Sequence, residues 1–525
     1  MTLKAMNKIS TIEYGDYQTP PFFAKAVCDK LIELYGLSPD IVLEPTFGVG
    51  NFLTEAIIAF PNVKKIFGVE INNNYFNAAQ QKIDSCSVNY TDVKLFNADI
   101  FTFDFCAIKK GISQTDALLI IGNPPWATNS QLSSMDSSNL PAKCNFKGHT
   151  GIEAMTGRGN FDIAEYIVLK LSSEFASYDC TVALVCKTIV ARNIVRHLAK
   201  CAFSAYSIDL FSFDANDIFG VNCDAGLLVM RLGRPEAKTC TVYDFHTNKA
   251  KNEFGWKEGV FCSNVRRLRS LDSIEGKCQF DWRQGLKHDC SKVMELKAID
   301  GEAFLNGLGE VHTFPLRRYV YPLLKSSDIK SYIVAQTTKY VIVPQRRIND
   351  DTSQIESNDK HVWEYLQKHE HLLDSRRSSI YKNSPKYSIF GVGDYSFSKY
   401  KVAISGFYKK PIFSLISGDA PIMLDDTCYF IPFENLTDAL ITLSLLNSPA
   451  CLGFLESVVF LDSKRPYTKE VLQRIDLAKL SELLGFAYVI NFLSKLEIKA
   501  QITLKDFDRY RHCLSLDAPT LLLTT

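Results

Sequence analysis

The chain contains 525 residues, of which 46% are hydrophobic and 22% are charged, and its formal net charge is +1 at pH 7. This composition is typical of a folded soluble protein, and the length exceeds one ordinary hydrophobic core, so we expect two or three domains. A nearly neutral chain excludes nonspecific polyanion binding by the whole surface, but it does not exclude local basic patches.

The sequence lacks the features of an exported, membrane-spanning or disulfide-stabilised protein. Its 15 cysteines are scattered without a Cys-x-x-Cys pair, which indicates reduced core thiols such as Cys186. No apolar block follows the first residues, and segment 439–455 is too short and too polar for a membrane span. We therefore expect a cytoplasmic protein that has no membrane partner.

The first elements alternate between helix and strand. After a polar segment, residues 1–18, Thr19 is a candidate N-cap and Pro20 a candidate first residue of a helix. A buried strand from Ile41 to Glu44 then leads into a turn that contains Gly48 and Gly50, and a helix follows. Glycines in such a turn let a ligand approach the backbone, and the helix N-terminus is electropositive.

Acidic residues end the next two predicted strands. Glu70 ends the second strand and Asp99 ends the third. A carboxylate at the end of the second strand is the usual acceptor for two ribose hydroxyls, so the series indicates a nucleoside-bearing cofactor. The alternation itself predicts a doubly wound, mostly parallel α/β sheet.

The fourth predicted strand runs from Ala117 into Gly122-Asn-Pro-Pro-Trp126. Neither proline has a backbone N–H, so the turn is rigid and extended at the carboxyl edge of the sheet, where ligands bind. The turn offers the amide of Asn123, the carbonyl of Pro124 and the ring of Trp126. This set suits the binding of a planar amine, which needs two acceptors and an aromatic platform.

In this motif order, residues 17–232 resemble the gamma-class N6-adenine DNA methyltransferases of restriction–modification systems. The segments that carry the resemblance are Thr19-Pro-Pro-Phe-Phe23, Leu43-Glu-Pro-Thr-Phe-Gly-Val-Gly50, Gly68-Val-Glu-Ile71, Ala98-Asp-Ile100, Asn123-Pro-Pro-Trp126, Asn160–Ile167 and Ile218–Arg231. Tryptophan stands where many members carry tyrosine or phenylalanine. The resemblance implies a Rossmann-like methyltransferase domain over residues 19–235 that uses S-adenosylmethionine and methylates a flipped adenine in duplex DNA.

The resemblance also implies a role for each motif position. The implied cofactor-binding residues are Thr19, Glu44, Pro45, Gly48, Gly50, Glu70, Ile71, Asp99, Ile100 and Asn123. The implied catalytic set is Asn123, Pro124, Pro125, Trp126 and Phe219. Trp126 and Phe219 would stack on the target base, and Phe213 competes with Phe219 for that role. The long polar stretch between Trp126 and residue 160 is a candidate lid or DNA-contacting loop.

Residues 240–515, beyond a linker at 233–238, loosely resemble the target-recognition domain of related methyltransferases, so we expect an α+β domain with that role. Within 376–410, eight basic residues and eight aromatics accompany a single acid, Asp394, a pattern that fits phosphate contacts. The candidate DNA-binding residues are Arg346, Arg347, Arg376, Arg377, Lys399 and Lys401. His369 and His371 are interpreted as solvated helix residues because no third ligand is evident, so no metal site is predicted.

Three other functions remain open. N4-cytosine DNA methylation uses the same chemistry but is disfavoured by asparagine, rather than serine, before Pro-Pro. Protein glutamine N5-methylation uses a similar turn, although it has little need for a large basic domain. A non-catalytic DNA-binding protein is disfavoured by the intact set Glu44, Glu70, Asp99 and Asn123. The expected partners are duplex DNA, on which the enzyme acts as a monomer, and a cognate restriction endonuclease on a separate chain.

Overall fold

The computed structural model describes residues 17–86, 91–127, 162–269, 272–461, 463–498 and 501–515. The chain divides into two compact units, residues 1–266 and residues 267–525. Most of the N-terminal segment and of the candidate lid after Trp126 lie outside the described residues. Every cysteine within the described ranges is a free thiol, as expected.

The first unit alternates strands and helices through most of its length. Its strands are β1 Ile41–Glu44, β2 Lys65–Glu70, β3 Asp92–Asn97, β4 Ala117–Gly122, β5 Asp179–Lys187, β6 Ala205–Asp214, β7 Asp224–Leu232, β8 Thr239–Asp244, β9 Ala250–Lys257 and β10 Val260–Cys262. Its described α-helices are α1 Pro21–Tyr35, α2 Asn51–Ala59, α3 Asn73–Asp84, α4 Cys106–Lys109, α5 Ile163–Glu174, α6 Thr188–His197 and α7 Ala215–Phe219. Helix α8, Val265–Arg269, spans the division between the units.

These strands form one sheet in the order β10-β9-β8-β6-β7-β5-β4-β1-β2-β3. Strands β1 to β5 are parallel to one another, whereas β7 is antiparallel to both β5 and β6. The predicted Rossmann-like, doubly wound sheet is therefore confirmed. The strand order reverses between β1 and β4, and their carboxyl ends create the crevice in which such sheets bind ligands.

The central strands are buried on both faces, as their sequences require. All four residues of β1 are buried, and so are all residues of β4 except Ala117. Continuous apolar runs of this kind are typical of parallel strands covered by helices on both sides. One local prediction was wrong by a residue: α1 begins at Pro21, and its N-cap is Pro20 rather than Thr19.

The first unit extends past the predicted linker. Strand β8 pairs in parallel with β6, and β9 and β10 continue the sheet by antiparallel pairing. Edge strands expose unpaired backbone groups, so these additional strands satisfy the edge that β6 would otherwise present. The division consequently falls after Arg266, and residues 240–266 belong to the first unit rather than to the expected second domain.

The second unit is an α+β structure, as predicted. Its strands are β11 Arg283–Gln284, β12 Glu295–Asp300, β13 Ala303–Asn306, β14 Val311–Thr313, β15 Val320–Leu324, β16 Ile333–Val334, β17 Lys339–Ile342, β18 Tyr400–Ser405, β19 Phe413–Ser417, β20 Met423–Leu424 and β21 Cys428–Phe433. Its described α-helices are α9 Ser291–Met294, α10 Ile355–Asn358, α11 Lys360–Lys368, α12 Glu370–Asp374, α13 Leu436–Leu446, α14 Pro449–Val458, α15 Lys469–Leu472, α16 Leu477–Lys495 and α17 Leu504–Leu514.

Two mainly antiparallel sheets organise this unit, in the orders β14-β13-β12-β17-β15-β20 and β11-β21-β18-β19-β16. Among the described helices, α16 is long and apolar enough to cross a membrane by those criteria alone, and the bent pair α13 and α14 passes the same test together. Helix α16 is interrupted at Gly485, whose φ of 70° and ψ of 174° are not helical. The absence of a membrane partner stays a prediction.

Candidate active site

A cavity of about 910 Å³, counting its open mouth, lies at the carboxyl ends of the parallel strands. This volume is in the range of small-molecule sites. It is lined by nine of the ten predicted cofactor positions, namely Thr19, Glu44, Pro45, Gly48, Glu70, Ile71, Asp99, Ile100 and Asn123. The tenth, Gly50, is the N-cap of α2, where an added Cβ would lie 2.9 Å from the Cβ of Ala79.

Glu70 organises the first loop of the cavity. Its Oε2 accepts a hydrogen bond from the Gly48 N–H at 2.8 Å, and its Oε1 accepts one from the Asn72 N–H at 2.8 Å. A carboxylate has about four lone-pair sites, so it can accept several hydrogen bonds at once. Gly48 has a φ of 52°, and an added Cβ would lie 2.6 Å from Oε1 of Gln18, so a side chain there would strain the loop.

Glu44 brings an acidic group into the interior of the site. The side chain is buried, and desolvation raises the pKa of its carboxyl well above the ordinary value. Within the described residues, neither Glu44 Oε2 nor the hydroxyl of Thr46 has a hydrogen-bond partner. Buried polar atoms are normally paired, so these two atoms indicate a site for a polar ligand.

The Asn-Pro-Pro-Trp turn is reached through a glycine that the geometry requires. Gly122 has a φ of 154°, and an added Cβ would lie 3.2 Å from Cγ of Glu44. After it, the Asn123 amide donates from Nδ2 to the Tyr17 carbonyl at 3.0 Å. That bond fixes the amide so that Oδ1 is buried, and Oδ1 has no partner among the described atoms. Tyr17 is a site residue that the sequence did not reveal, because its backbone rather than its side chain acts.

The aromatic residues beside the turn are in contact with one another. The Trp126 ring lies edge to face against Phe219 at 5.2 Å between centroids and is tilted against Tyr17 at 5.7 Å. Stacking one flat base between two rings requires roughly 7 Å, or two contacts of about 3.5 Å. The expected slot between Trp126 and Phe219 is therefore closed. Phe213 packs against Phe23 at 5.0 Å and is buried more deeply than Phe219.

A lysine at the end of β5 holds the turn from the other side. Lys187 Nζ donates to the Trp126 carbonyl at 2.9 Å and to Asp162 Oδ2 at 2.8 Å. Asp162 is also the N-cap of α5, because its Oδ1 accepts the Ala164 N–H at 3.1 Å. Burial raises the pKa of Asp162, and the Lys187 ammonium opposes that rise. From sequence, Lys187 could be either a surface lysine or a functional one.

Comparison with known proteins identifies the family. No protein-family model matches the chain. The type II methyltransferase M.NspV of Nostoc sp. (strain ATCC 29411 / PCC 7524) is 38% identical over 477 residues, which cover 90% of this chain and 98% of that protein. The chain belongs to the type II methyltransferases.

A solved structure extends the likeness to the fold of the whole chain. The type IIL restriction–modification enzyme MmeI, solved in complex with DNA, matches 99% of this chain and 75% of its own length. The TM-score is 0.50 and the sequence identity is 14%, so this likeness shows the fold alone. The motifs indicated a resemblance to restriction–modification methyltransferases. That resemblance is confirmed for the family by the relative and for the fold by the solved structure.

The methyltransferase cavity has the chemistry that S-adenosylmethionine requires. Glu70 and Asp99 are acceptors at the ends of β2 and just beyond β3, and Ile100 and Ile71 provide apolar surface between them. Glu44 Oε2, which has no partner among the residues that the structure describes, lines the same cavity and is buried. The cavity therefore has hydrogen-bond acceptors in two places and apolar surface as well. This arrangement fits a ligand that carries a ribose, a purine ring and a cationic group.

Two of the residues predicted to contact DNA in this methyltransferase are not available for that role in the structure of the second unit. Lys401 is only 1% exposed, and it donates to the Ser398 carbonyl, because β18 is a central strand of its sheet. Arg376 is half-buried and donates to the Leu373, Ser388 and His288 carbonyls, so it is a structural residue.

The other four basic positions are exposed. Arg346 and Arg347 both donate to the carboxylate of Asp394, at 2.7 and 2.6 Å at their shortest, and keep most of their side-chain surface in solvent. Arg377 and Lys399 are exposed as well. The interpretation of His369 as a solvated residue was wrong, because it is 3% exposed, whereas His371 is exposed as expected.

Proposed function

We propose that this type II methyltransferase transfers a methyl group from S-adenosylmethionine to the N6 amine of an adenine flipped out of duplex DNA. The observation that carries the proposal is the buried Oδ1 of Asn123, which has no hydrogen-bond partner within the described ranges; the Tyr17 carbonyl holds this amide at the edge of the cofactor cavity. An acceptor in this state is ready to bind a donor such as an exocyclic amine.

The chemistry follows from what two acceptors do to an aromatic amine. The amine nitrogen is a poor nucleophile because its lone pair is delocalised into the ring. Asn123 Oδ1 and the Pro124 carbonyl, placed off the ring plane, would each accept one N–H and favour a pyramidal nitrogen. Pro124 and Pro125 hold this geometry rigidly, because proline fixes φ. Alignment of this kind accounts for much of the rate in bimolecular transfers.

The charges of the site fit the same role. When bound, S-adenosylmethionine supplies an electrophilic methyl group on a cationic sulfur. Asn123 is uncharged, so it accepts a hydrogen bond without pairing strongly with that cation, and it need not remove a proton before attack. Glu70 would accept the ribose hydroxyls, Asp99 the purine amine, and Glu44 would lie near the methionine part.

Access to the base requires a change in the aromatic cluster. Trp126 and Phe219 touch at 5.2 Å, so Phe219 must move away for a base to stack on Trp126. Phe219 is the last residue of α7, and Gly220 after it adopts a left-handed conformation. Phe219 is half-buried, whereas Trp126 is only 5% exposed, which supports Phe219 as the moving partner.

The second unit is proposed to recognise the DNA sequence, with Arg346, Arg347, Arg377 and Lys399 as candidate phosphate contacts. All four are exposed basic side chains. Phosphate contacts fix register, whereas base-edge contacts specify sequence. We further infer that the enzyme acts as a monomer and that the cognate nuclease is a separate chain.

The test is incubation of the purified protein with labelled S-adenosylmethionine and duplex DNA, followed by nucleoside analysis. We expect label in N6-methyladenine. Label in N4-methylcytosine, or only in protein, would overturn the proposal in favour of those alternatives. Asn123→Ala should lower the transfer rate by about 10²–10³-fold while cofactor binding persists. Asn62→Ala, an exposed asparagine before β2, is the matched control and should retain the full rate.

A further inference from the structure

Three potential metal ligands converge in the second unit, in a place that the proposed reaction does not use. Glu310 and His312 lie on the hairpin formed by β13 and β14, and His369 follows the last residue of α11. Their ligand atoms all lie within 4.8 Å of one another. His369 is 57 residues beyond His312 in sequence, which explains why the spacing of the chain gave no signal of a third ligand.

The two distances from the Glu310 carboxylate to the histidine nitrogens are close to the separation of two ligands around a single metal ion. Glu310 Oε2 lies 3.1 Å from His312 Nε2 and 3.0 Å from His369 Nε2. Two ligands bound at about 2.0–2.1 Å with tetrahedral angles lie about 3.3 Å apart. Both separations from Glu310 therefore lie within a few tenths of an ångström of that value, and all three potential ligand atoms lie within 4.8 Å of one another.

A second observation points to a missing partner. His369 is 3% exposed, and its Nε2 has no hydrogen bond of acceptable geometry within the described part of the chain, despite the short separation from Glu310. A buried imidazole nitrogen without a partner costs free energy. A metal ion would satisfy this nitrogen and would compensate the carboxylate beside it.

The surrounding residues hold Glu310 in a fixed orientation. Asn306 is buried, donates from Nδ2 to Glu310 Oε2 at 3.1 Å and to the Tyr365 hydroxyl at 3.2 Å, and accepts the Glu310 N–H at 3.0 Å. Lys368 donates to the other oxygen, Oε1, at 2.9 Å, and so leaves Oε2 facing the two imidazoles. Metal ligands are typically oriented by outer hydrogen bonds of this kind.

We propose that Glu310, His312 and His369 bind one divalent transition-metal ion of the zinc class. Two imidazoles and one carboxylate favour zinc over magnesium or calcium, which prefer sites made of oxygen atoms. Water completes the coordination, since His312 and Glu310 are only half-buried. The ion links the β13–β14 hairpin to the end of α11, so its role is to stabilise the second unit.

The experiment uses the full-length protein after removal of metals with a chelator and dialysis. Zinc is titrated against a chromophoric competitor, and cobalt(II) is added separately for its visible absorption spectrum. We expect one high-affinity equivalent per chain, a cobalt spectrum of four- or five-coordinate intensity without a thiolate charge-transfer band, and a higher melting temperature with zinc.

Paired variants separate this site from other metal binding. His312→Gln should weaken zinc binding by more than the roughly 10–100-fold that follows the loss of an outer partner. His371→Gln removes an exposed histidine two residues beyond His369 and should bind zinc as the wild type does. Circular dichroism shows whether each variant is folded. An equal affinity in wild type and His312→Gln, no high-affinity equivalent in wild type, or a thiolate band in cobalt spectra would overturn the proposal.

Discussion

Replacement of Lys187 by methionine tests whether the Asn-Pro-Pro-Trp turn depends on its ammonium group. Lys187 Nζ joins the Trp126 carbonyl to the Asp162 carboxylate, at 2.9 and 2.8 Å. Methionine has a similar length but no donor, so both acceptors would lose their partner while the packing of the side chain stays similar. The expected results are a less stable first unit and a slower methyl transfer.

The size of the effect follows from burial. The Asp162 side chain is 8% exposed and that of Lys187 is 22% exposed. Removal of one partner of a buried pair costs about 3–5 kcal/mol, and the partial exposure of Lys187 puts this case nearer 2–3 kcal/mol. Displacement of the turn by about 1 Å would lower the transfer rate by about 10²-fold.

The assay is a double-mutant cycle with Lys187→Met, Asp162→Asn and both together. Asparagine keeps the oxygen that caps α5, so Asp162→Asn alone removes mainly the charge. We expect a coupling free energy of about 1–3 kcal/mol between the two sites in thermal or denaturant unfolding. A positioning role further requires that the turnover number falls while the cofactor dissociation constant changes little.

Lys109→Met is the matched control for this cycle. Lys109 forms a 2.6 Å ion pair with Glu174 in the same unit, and the two side chains are 28% and 37% exposed. Within the described part of the chain this pair does not hydrogen-bond to the turn, so its loss should cost at most about 1 kcal/mol and leave turnover unchanged. Additive free energies in the cycle, or an unaltered turnover number in Lys187→Met, would refute the reasoning.

Three further perturbations test other parts of the structure. Burial lowers the pKa of Lys401 to about 7 in the folded protein. In the unfolded chain this lysine keeps its proton up to about pH 10.4, so between about pH 7 and 10 the unfolded state binds more protons and the free energy of unfolding should rise with pH. Lys401→Met should abolish that rise and add about 1–3 kcal/mol at pH 6.5 in thermal unfolding, and an unchanged pH profile would contradict the assignment. Gly122→Ala should cost about 1–3 kcal/mol because alanine is strained at a φ of 154°, and a wild-type melting temperature would argue against that strain. Asp394→Asn removes the charge of the carboxylate that Arg346 and Arg347 share. DNA affinity measured by fluorescence anisotropy should therefore rise, and the slope of its salt dependence should steepen by about one phosphate contact. An unchanged slope would remove these arginines from the proposed DNA interface.

The basic, aromatic-rich segment 376–410 shows where composition is an insufficient guide. Its residues include exposed Arg377 and Lys399, but also Arg376, which binds carbonyl groups, and Lys401, which lies inside a sheet. Lys399 and Lys401 differ by two positions, so strand alternation alone would place them on one face. Strand β18 begins at Tyr400. Lys399 therefore lies in the preceding loop and is exposed, whereas Lys401 lies inside the strand and is buried.

Local sequence patterns were enough to predict the Rossmann-like sheet and most of the residues that line the cavity at its carboxyl edge. Strands β1, β2 and β4 are short, mostly apolar runs that end in Glu44, Glu70 and Gly122, and local hydrophobicity and proline chemistry are enough to define them. The tertiary structure alone decided which distant groups support them: the Tyr17 carbonyl on Asn123, and the Lys187 ammonium on Trp126.

The same division holds in the second unit. His312 and His369 each look unremarkable in sequence, and only the packing of α11 against the β13–β14 hairpin brings their nitrogens to Glu310. The physical reason is common to both units. Periodicity and turn chemistry act over a few residues and are written in the sequence, whereas pairing between groups tens of residues apart depends on how elements pack, and burial then decides whether a charged side chain faces water or another residue.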